Sequence, residues 1–591
     1  MFQNYFKTAW RNITRSKGYS ALNIFGLATG MAVALLIGLW VHNEYSYDKF
    51  LPGYQQLYKV QRNYDSNGDT LTFPTTSLKL ADVLRTQVPE IEFVAESDWM
   101  NNHGLMVGDK KFYIRGAVIG GDFLKMFQYP LLQGNAQTVL QDPFSIVLTE
   151  STAKALFGKE DPINKMVRFD NKDNLKVTGV LEDLPGNSTI TFNYLVPFSY
   201  YEQTSQNIKA LRAGGFGNNN FQLFVKLKPG TNYARVAEKI RNIEHTETDS
   251  RNAMNSFVFL QPMQNWHLYN KFENGKELPG FLEYVRMFSI IGILVLLIAC
   301  INFVNLTTAR SEKRAREVGV RKAIGSRRKD LVIQFLAESF LLTIGAFLFA
   351  LLFVQFSLPA FNALTGNQIW IPFSSVAFWI IMIACVFLTA LIAGSRPAFY
   401  LSSFNPVKVL KSSMQIGKSG TLPRKLLVVL QFSCSIALII STVIIYQQIQ
   451  HAKDRPTGYD LNRLMVTGLN DDLGRNFTAL KNELLQKRLV TGVTTASSPA
   501  TEIYWHSDLD QWPGKQDAET VEMGTILVTD DYFQTMGMAM KEGRAFANAA
   551  DTTNIIFNEK AIHTLRIKNP LGQLITWNER QYRIVVLQKM L

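Results

Sequence analysis

The cations between Arg310 and Lys329 are the residues of this sequence with the clearest capacity for specific binding. Nine of these twenty residues are Lys or Arg, and the run lies between two long apolar stretches. It contains the ordered motif Glu317-x-Gly319-x-Arg321-Lys322-Ala323-x-Gly325. Guanidinium and ammonium groups on such an element can bind carboxylates of a partner protein, and glycines permit tight turns or close approach. The alternative interpretation is a solvated run of charge that only orients the chain in a membrane.

Other residue types that carry chemistry form no recognisable site. The seven histidines are scattered, without the spacing of metal ligands or of a nucleophile and its base. We therefore expect no catalytic residue, no metal and no cofactor, and an enzyme is the weakest of the function classes. The net charge of +13 is concentrated beside apolar segments, which argues against nucleic-acid binding.

The basic motif lies among five apolar stretches of the sequence, and the helices that they predict must hold it in place. Each is long enough to span a bilayer, which takes about 20 residues, and only helices satisfy their backbone there. The stretches are residues 21–41, 288–306, 335–354, 376–392 and 426–446.

The distribution of Lys and Arg predicts how these helices are oriented. Positive residues collect before the first span, in the 310–330 loop and between the fourth and fifth spans. The positive-inside rule therefore places those segments in the cytoplasm and residues 42–285, 355–375 and 447–591 outside. We expect a multi-pass protein of the bacterial inner membrane with a cytoplasmic N-terminus. Residues 1–20, with cations between apolar positions, predict an amphipathic helix that lies on the membrane lipids.

The segment 42–285 has the pattern of a globular α+β domain. It includes strand patterns at 145–148, 175–180 and 221–227 and helix patterns at 77–88 and 231–243. Part of this segment is repeated downstream. The sequence from Asp122 to Glu150 matches that from Asp531 to Glu559, with a constant offset of 409 residues. Residues 447–591 are therefore predicted to form a second extracytoplasmic domain that copies part of the first.

The motif from Glu317 to Gly325 resembles the cytoplasmic coupling segment of the MacB/FtsX-type ABC-transporter permeases, on which a separate ATPase pushes. One unit of that family is a membrane helix, an extracytoplasmic domain and three further helices. The resemblance assigns residues 42–285 to a MacB-like periplasmic core and residues 286–415 to an FtsX-like permease domain with coupling loop 310–330. Residues 416–446 are then a linker and the fifth helix.

A second unit starts near residue 420, as in the large two-unit permeases of Bacteroidetes-type bacteria. This second unit reaches Leu591 without three further spans. We therefore expect the second extracytoplasmic domain, 447–591, to be incomplete and the unit to be truncated at its C-terminus. A natural short form, a frameshift and a sequence that is part of a longer chain are all open alternatives.

The resemblance implies a non-catalytic membrane subunit that couples ATP hydrolysis on a separate chain to movement of the extracytoplasmic domains. Efflux of a peptide, drug or lipid is the function this favours. Regulation of a cell-wall hydrolase or a sensor protein is the alternative. The implied partners are an ABC ATPase and membrane lipids, together with a second permease copy, a periplasmic adaptor and an outer-membrane channel.

Three residues inside the predicted spans stand out. Glu338 is a carboxylate in an apolar helix, where a charge is costly and usually partnered. It either transmits motion from the coupling segment or anchors the helix near the interface. Gly26 and Gly30, four residues apart, give the first span a face for close helix packing, either within the chain or between two copies.

Overall fold

The computed structural model describes residues 2–66, 68–248, 250–402, 418–455, 457–516, 519–547 and 551–588. Residues 403–417, which include the end of the predicted permease domain and the start of the predicted linker, lie outside the described part. The same holds for the side chains of residues 309–317.

Seventeen α-helices are described. In chain order they are α1 (Phe2–Arg15), α2 (Lys17–Tyr45), α3 (Leu78–Gln87), α4 (Phe123–Phe127), α5 (Glu150–Phe157), α6 (Phe198–Thr204), α7 (Gln206–Ala213), α8 (Tyr233–Ile240), α9 (Arg251–Met254), α10 (Gly280–Ala323), α11 (Arg328–Thr365), α12 (Val376–Ser402), α13 (Lys418–Asp454), α14 (Asp471–Arg475), α15 (Phe477–Gln486), α16 (Tyr532–Thr535) and α17 (Glu559–Leu565).

The described strands are β1 (Leu57–Ser66), β2 (Asp69–Phe73), β3 (Ile91–Ser97), β4 (Asn102–Val107), β5 (Lys110–Arg115), β6 (Ala117–Ile119), β7 (Leu131–Gln133), β8 (Ser145–Thr149), β9 (Met166–Phe169), β10 (Asp173–Leu181), β11 (Tyr194–Pro197), β12 (Gln222–Leu227), β13 (Ser256–Pro262), β14 (Lys271–Glu273), β15 (Lys276–Leu278), β16 (Trp505–Asp508), β17 (Glu522–Thr525), β18 (Met540–Gly543), β19 (Asn554–Asn558), β20 (Leu574–Trp577) and β21 (Arg580–Gln588).

Five of the helices are long and apolar enough to cross a membrane, as the sequence predicts: α2, α10, α11, α12 and α13. Four of them, α2, α10, α11 and α12, pack together in a unit formed by residues Met1–Tyr47 and Pro279–Lys453, which we call the membrane unit. Its core is apolar, and its buried residues include Leu27, Phe303, Leu342 and Val386. Helix α1 packs on α11, with Ala9 buried and Trp10 exposed.

The predicted coupling loop 310–330 is largely helical. Helix α10 continues through the basic run to Ala323, and α11 begins at Arg328. Arg, Lys, Glu and Ala are good helix formers, and a helix that is already nucleated adds residues without the cost of a new first turn. The basic segment is therefore a helical hairpin with a short turn.

The predicted boundary at residue 447 is also displaced. Helix α13 runs on to Asp454, so the first residues assigned to the second extracytoplasmic domain are helical. Polar Gln and Lys residues end the apolar window, but they do not end a helix. In the part of the chain that the structure describes, no residue in the apolar window of α13 is buried.

The second compact unit contains Asp48–Leu278 and Asp454–Leu591, which we call the first and second globular domains. The first is an α+β domain around a mixed sheet with the order β13-β1-β12-β3-β6-β11-β8-β10-β9-β4-β5. Strands β8, β10 and β12 and helices α3 and α8 lie where the sequence predicts them.

The second globular domain repeats the strand pairing of the first. Strands β7, β8 and β9 all pair with β10, and β18, β19 and β20 all pair with β21 in the same senses. Both parallel pairs also carry an irregularity at matching places, between Val177 and Gly179 of β10 and between Ile584 and Val586 of β21. The sequence repeat is therefore a structural duplication.

Candidate docking hairpin and its supporting helices

The turn between α10 and α11 is held by backbone hydrogen bonds. The amide of Gly325 donates to the carbonyl of Lys322, and the amide of Ser326 donates to the carbonyl of Arg321, both at 3.0 Å. This pairing is the Schellman motif, which needs a left-handed residue just after the helix. Gly325 supplies it with a φ of +103°. A side chain there would strain the backbone, although open space surrounds the position.

The start of α11 has a cap of its own. Oδ2 of Asp330 accepts a hydrogen bond of 3.3 Å from the amide of Arg327, the residue before the helix. A carboxylate in the first turn also interacts favourably with the helix dipole. Only a short connection therefore separates two capped helices, and we call residues 318–335 the hairpin.

Side chains fix the two arms of the hairpin to each other. Val318 of α10 is buried with Leu331 and Phe335 of α11 and with Ala398 of α12. In addition, Nη1 of Arg321 donates a hydrogen bond of 2.8 Å to Oε1 of Gln334, a residue that is itself buried. The hairpin thus has a small core and a polar clasp.

The tip of the hairpin is exposed and combines apolar and positive groups. Ile324 is 81% exposed and Val320 is 45% exposed, which is unusual for large apolar side chains. Arg327, Arg328 and Lys329 follow directly and are exposed as well. An apolar projection with cations beside it suits a groove with acidic residues on its rim.

The structure separates the predicted motif residues into different environments. Gly319 is buried inside α10 and makes no turn, and Arg321 and Lys322 are half-buried. Ala323 and Gly325 lie at the exposed tip. The side chain of Glu317 lies outside the described part. Sequence reasoning missed Ile324 and Gln334, although an isolated isoleucine between cations is a signal that was available.

Glu338 lies on the buried face of α11, where it is 7% exposed. That face continues the hairpin into the apolar part of the helix and includes Gln334, Ser339 and Thr343. Helix α12 approaches closely, because a Cβ atom on Gly394 would lie 2.7 Å from Cβ of Ser339. Polar groups therefore line the α11 surface that faces another helix.

The two glycines of the first span pack against α10 of the same chain. A Cβ atom on Gly30 would lie 2.4 Å from Cβ of Ala299, so the helices touch at this point. A Cβ on Gly26 would lie 3.5 Å from Nδ2 of Asn302, an ordinary contact distance. Near the other end of this contact, Tyr19 donates a hydrogen bond of 3.0 Å to Oγ1 of Thr307.

Within the described residues, no group of three His, Cys, Asp or Glu side chains is arranged to hold a metal ion. The site offers surface contacts and close helix packing, which suit binding and mechanical work.

Comparison with known proteins matches both parts of this architecture. Residues 20–243 match the MacB-like periplasmic core domain, and residues 289–406 match the FtsX-like permease C-terminal domain. The chain belongs to the MacB/FtsX-type ABC-transporter permease family. The match to the periplasmic core domain begins at residue 20, so it includes most of α2, the first membrane helix, as well as most of the first globular domain.

Three relatives illustrate the similarity. The macrolide export ATP-binding/permease protein MacB of Bdellovibrio bacteriovorus is 26% identical over 45% of this chain and 38% of its own length. MacB of Aggregatibacter actinomycetemcomitans is 30% identical over 40% of this chain and 34% of its own length. The pyoverdine export ATP-binding/permease protein PvdT of Pseudomonas putida is 23% identical over 69% of this chain and 59% of its own length. The chain thus spans between 34% and 59% of the length of these relatives.

Two solved structures overlap with parts of the chain. A domain assigned to a permease protein of Porphyromonas gingivalis covers 40% of this chain and 98% of its own length, at 20% identity and a TM-score of 0.32. The periplasmic region of MacB from Actinobacillus actinomycetemcomitans covers 35% of this chain and 90% of its own length, at 21% identity and a TM-score of 0.26.

Proposed function

We propose that this chain is the permease subunit of an ABC export system and that a separate ATPase binds the hairpin from the cytoplasm. The observation that carries the proposal is the exposed tip of the hairpin, where Ile324 is 81% exposed next to three cations. Exposing an apolar side chain to water is unfavourable in free energy, and burial against a partner surface removes this unfavourable hydration. The cations add attraction to an acidic rim and orient the encounter.

Helix α10 supplies a rigid path for movement. The apolar stretch of α10 is residues 288–306, and the helix continues to Ala323. The seventeen residues from 307 to 323 extend it by about 25 Å at 1.5 Å per residue. At its other end α10 begins two residues after β15, the last strand of the first globular domain. A push on the tip would therefore act on a continuous helix that is covalently joined to that domain.

Glu338 has a defined role in this scheme. It lies one helical turn beyond Gln334 on the buried face of α11, so the polar clasp of the hairpin and the intramembrane carboxylate belong to one face. A buried polar group restricts how helices can slide past each other, because its hydrogen bonds must be formed again in each new position. Movement of the hairpin would then be passed to α11 and α12 together.

The names of the relatives support an export role, since they describe macrolide and pyoverdine export. We propose efflux of a peptide, drug or lipid-type molecule, with an N-terminus in the cytoplasm and both globular domains in the periplasm. A second permease copy, a periplasmic adaptor and an outer-membrane channel would complete the assembly. Control of a cell-wall hydrolase or a sensor protein is the second candidate, since the same motion of a globular domain would serve it.

Co-purification with the cognate ATPase tests the docking role. The variant Arg327→Gln/Arg328→Gln removes two tip cations, and Ile324→Ser removes the apolar projection. Each should lower the amount of bound ATPase by about tenfold, which corresponds to about 1.4 kcal/mol. The control Lys7→Gln/Arg11→Gln removes two exposed cations of α1 and should leave binding unchanged. Undiminished co-purification of both tip variants would refute the proposal.

A further inference from the structure

The first globular domain contains a cavity of about 470 Å³ whose wall carries charges of both signs. Three cations and three carboxylates line it: Arg85, Lys125, Arg212, Glu96, Asp122 and Glu202. Leu140 and Phe198 contribute apolar surface. A volume of this size lies within the range of small-molecule binding sites.

Glu96 is the centre of this charged wall. It is 3% exposed and accepts hydrogen bonds from both arginines: Nη1 and Nη2 of Arg85 at 2.9 and 2.5 Å, and Nη2 of Arg212 at 2.9 Å. Burial alone would raise the pKa of Glu96. The hydrogen bonds and positive charges of the arginines outweigh burial, and the pKa lies below its ordinary value. The carboxylate therefore stays ionised and holds both guanidinium groups at the cavity.

The duplication keeps the carboxylate of Asp122 as Asp531 but replaces Glu96, Lys125 and Arg85 by uncharged residues. In the first domain the amide of Gly120 donates to the carbonyl of Glu96, and in the second the amide of Thr529 donates to the carbonyl of Thr495. This equivalent hydrogen bond places Thr495 at the position of Glu96. Similarly, the offset that relates α4 to α16 places Gln534 at the position of Lys125.

The counterpart of Arg85 is also uncharged. Helix α15 repeats α3 with an offset of 399 or 400 residues, and either register places a leucine, Leu484 or Leu485, at that position. The second domain thus builds the same strand and helix without the buried glutamate and its arginine.

The residues at positions 96 and 120 differ together between the two domains. A Cβ atom on Gly120 would lie 2.6 Å from Oε2 of Glu96 and 3.0 Å from its backbone nitrogen, so both the glutamate side chain and the close approach of the backbone favour glycine there. In the second domain the smaller Thr495 allows Thr529, whose Oγ1 accepts a hydrogen bond of 3.1 Å from the Thr495 amide. The pair Glu96 and Gly120 therefore corresponds to the pair Thr495 and Thr529.

We infer that the cavity binds a zwitterionic ligand of short-peptide size. Burying an ion pair or triad stabilises a fold little compared with apolar packing, and the second domain does without this one. The charges are therefore best explained by recognition. Lys125 pairs with Asp122 at 2.9 Å, and Nε of Arg212 pairs with Glu202 at 2.7 Å. A bound ligand would exchange these contacts: Arg85 and Lys125 would meet its carboxylate, and Glu202 and Asp122 would meet its ammonium group. This inference concerns the globular domain and does not depend on docking of an ATPase at the hairpin.

Saturation-transfer NMR on the full chain in lipid nanodiscs tests the inference with two probes. Trialanine has a free amine and a free carboxylate, and N-acetyl-trialanine amide has neither. Trialanine should bind saturably with a Kd of about 1 mM or lower. The blocked peptide should bind at least about tenfold more weakly, because it has no charged end group to pair with the charges of the cavity.

Two variants connect binding to the cavity. Arg85→Leu/Glu96→Thr/Gly120→Thr installs residues like those of the second domain, and Lys125→Gln removes one rim cation without touching Glu96. Each should weaken trialanine binding by about tenfold or more, and the second remains informative if the first unfolds. Absence of saturable trialanine binding, equal binding of the two peptides, or binding unchanged by Lys125→Gln would overturn the inference.

Discussion

Nη1 of Arg321 donates a hydrogen bond of 2.8 Å to Oε1 of Gln334, thirteen residues further along the chain and on the opposite arm of the hairpin. This contact fixes the last turn of α10 to α11. It gives Arg321 a positioning role, whereas the exposed Ile324 and Arg327 have the accessibility that recognition requires.

A double-mutant cycle on Arg321 and Gln334 measures the coupling free energy of this hydrogen bond. Arg321→Ala and Gln334→Ala should each increase amide hydrogen exchange in residues 322–326, and the double variant should add little to either. The coupling free energy should be about 0.5–1.5 kcal/mol, typical of one hydrogen bond. Strictly additive effects of the two substitutions would show that the contact does not stabilise the turn.

The two glycines of the first span should respond differently to the same substitution. Gly30→Ala places a Cβ 2.4 Å from that of Ala299 and should lower the free energy of unfolding by about 1–3 kcal/mol through overpacking. Gly26→Ala should be tolerated, since its Cβ would lie 3.5 Å from the nearest atom.

Gly38→Ala in the same helix is the matched control for both, because it has open space around it. Thermal unfolding of the chain in detergent gives the comparison. Equal melting temperatures for the variants at positions 30 and 38 would contradict the close contact between α2 and α10.

Substitution of Glu96 alone should destabilise the protein more than substitution of Glu96 together with its neighbours. Glu96→Thr removes the buried one of two carboxylates that Arg85 and Arg212 share, while Asp82 still pairs with both. It should destabilise the first globular domain by about 1–3 kcal/mol, as expected for lost hydrogen bonds to charged groups. Adding Arg85→Leu and Gly120→Thr should recover much of that loss, because the second domain is built in this way. Chemical unfolding of the original protein, the single variant and the triple variant tests this order of stabilities, and a triple variant less stable than the single one would contradict it.

The contact between the two globular domains should depend on pH. Tyr64 of the first domain donates a hydrogen bond of 2.9 Å to Oδ2 of Asp508 in the second. Asp508 lies directly opposite Glu522 in the β16–β17 pair. Burial, and then the negative charge of Asp508, raise the pKa of Glu522 to about 7, against a smaller opposing effect of Arg62.

Because this pKa is higher in the folded protein than in the unfolded chain, protonation of Glu522 stabilises the fold. The contribution is full below the ordinary pKa of a glutamate and is lost as the pH rises through about 7. Hydrogen exchange in β17 should therefore become faster between about pH 5 and about pH 8, after correction for intrinsic rates. Glu522→Gln should remove this dependence, and an unchanged slope in the variant would contradict the assignment.

Much of the architecture follows from the sequence because its signals are local. The apolar windows predict the five long helices, and the constant offset between Asp122 and Asp531 predicts the duplication that the strand pairing shows. The number of apolar spans places the basic segment between two helices, but not its secondary structure, because Lys and Arg also extend a helix that has already formed.

No local sequence pattern indicates the charged cavity, because its contacts join residues that are far apart in the chain. Glu96 meets Arg212 across 116 residues, and the need for Gly120 arises only when the two strands are side by side. The contact of Tyr64 with Asp508 joins residues from separate copies of the repeat and depends on how these copies pack.

Site-specific photocrosslinking tests the central claim most directly. A photoreactive amino acid at position 324, the exposed hairpin tip, should form a cross-link to the cognate ATPase in membranes that contain both proteins. The same amino acid at position 373, an exposed residue in the turn between α11 and α12, should form none. Absence of the cross-link from position 324, or equal cross-linking from both positions, would contradict docking of the ATPase on the hairpin.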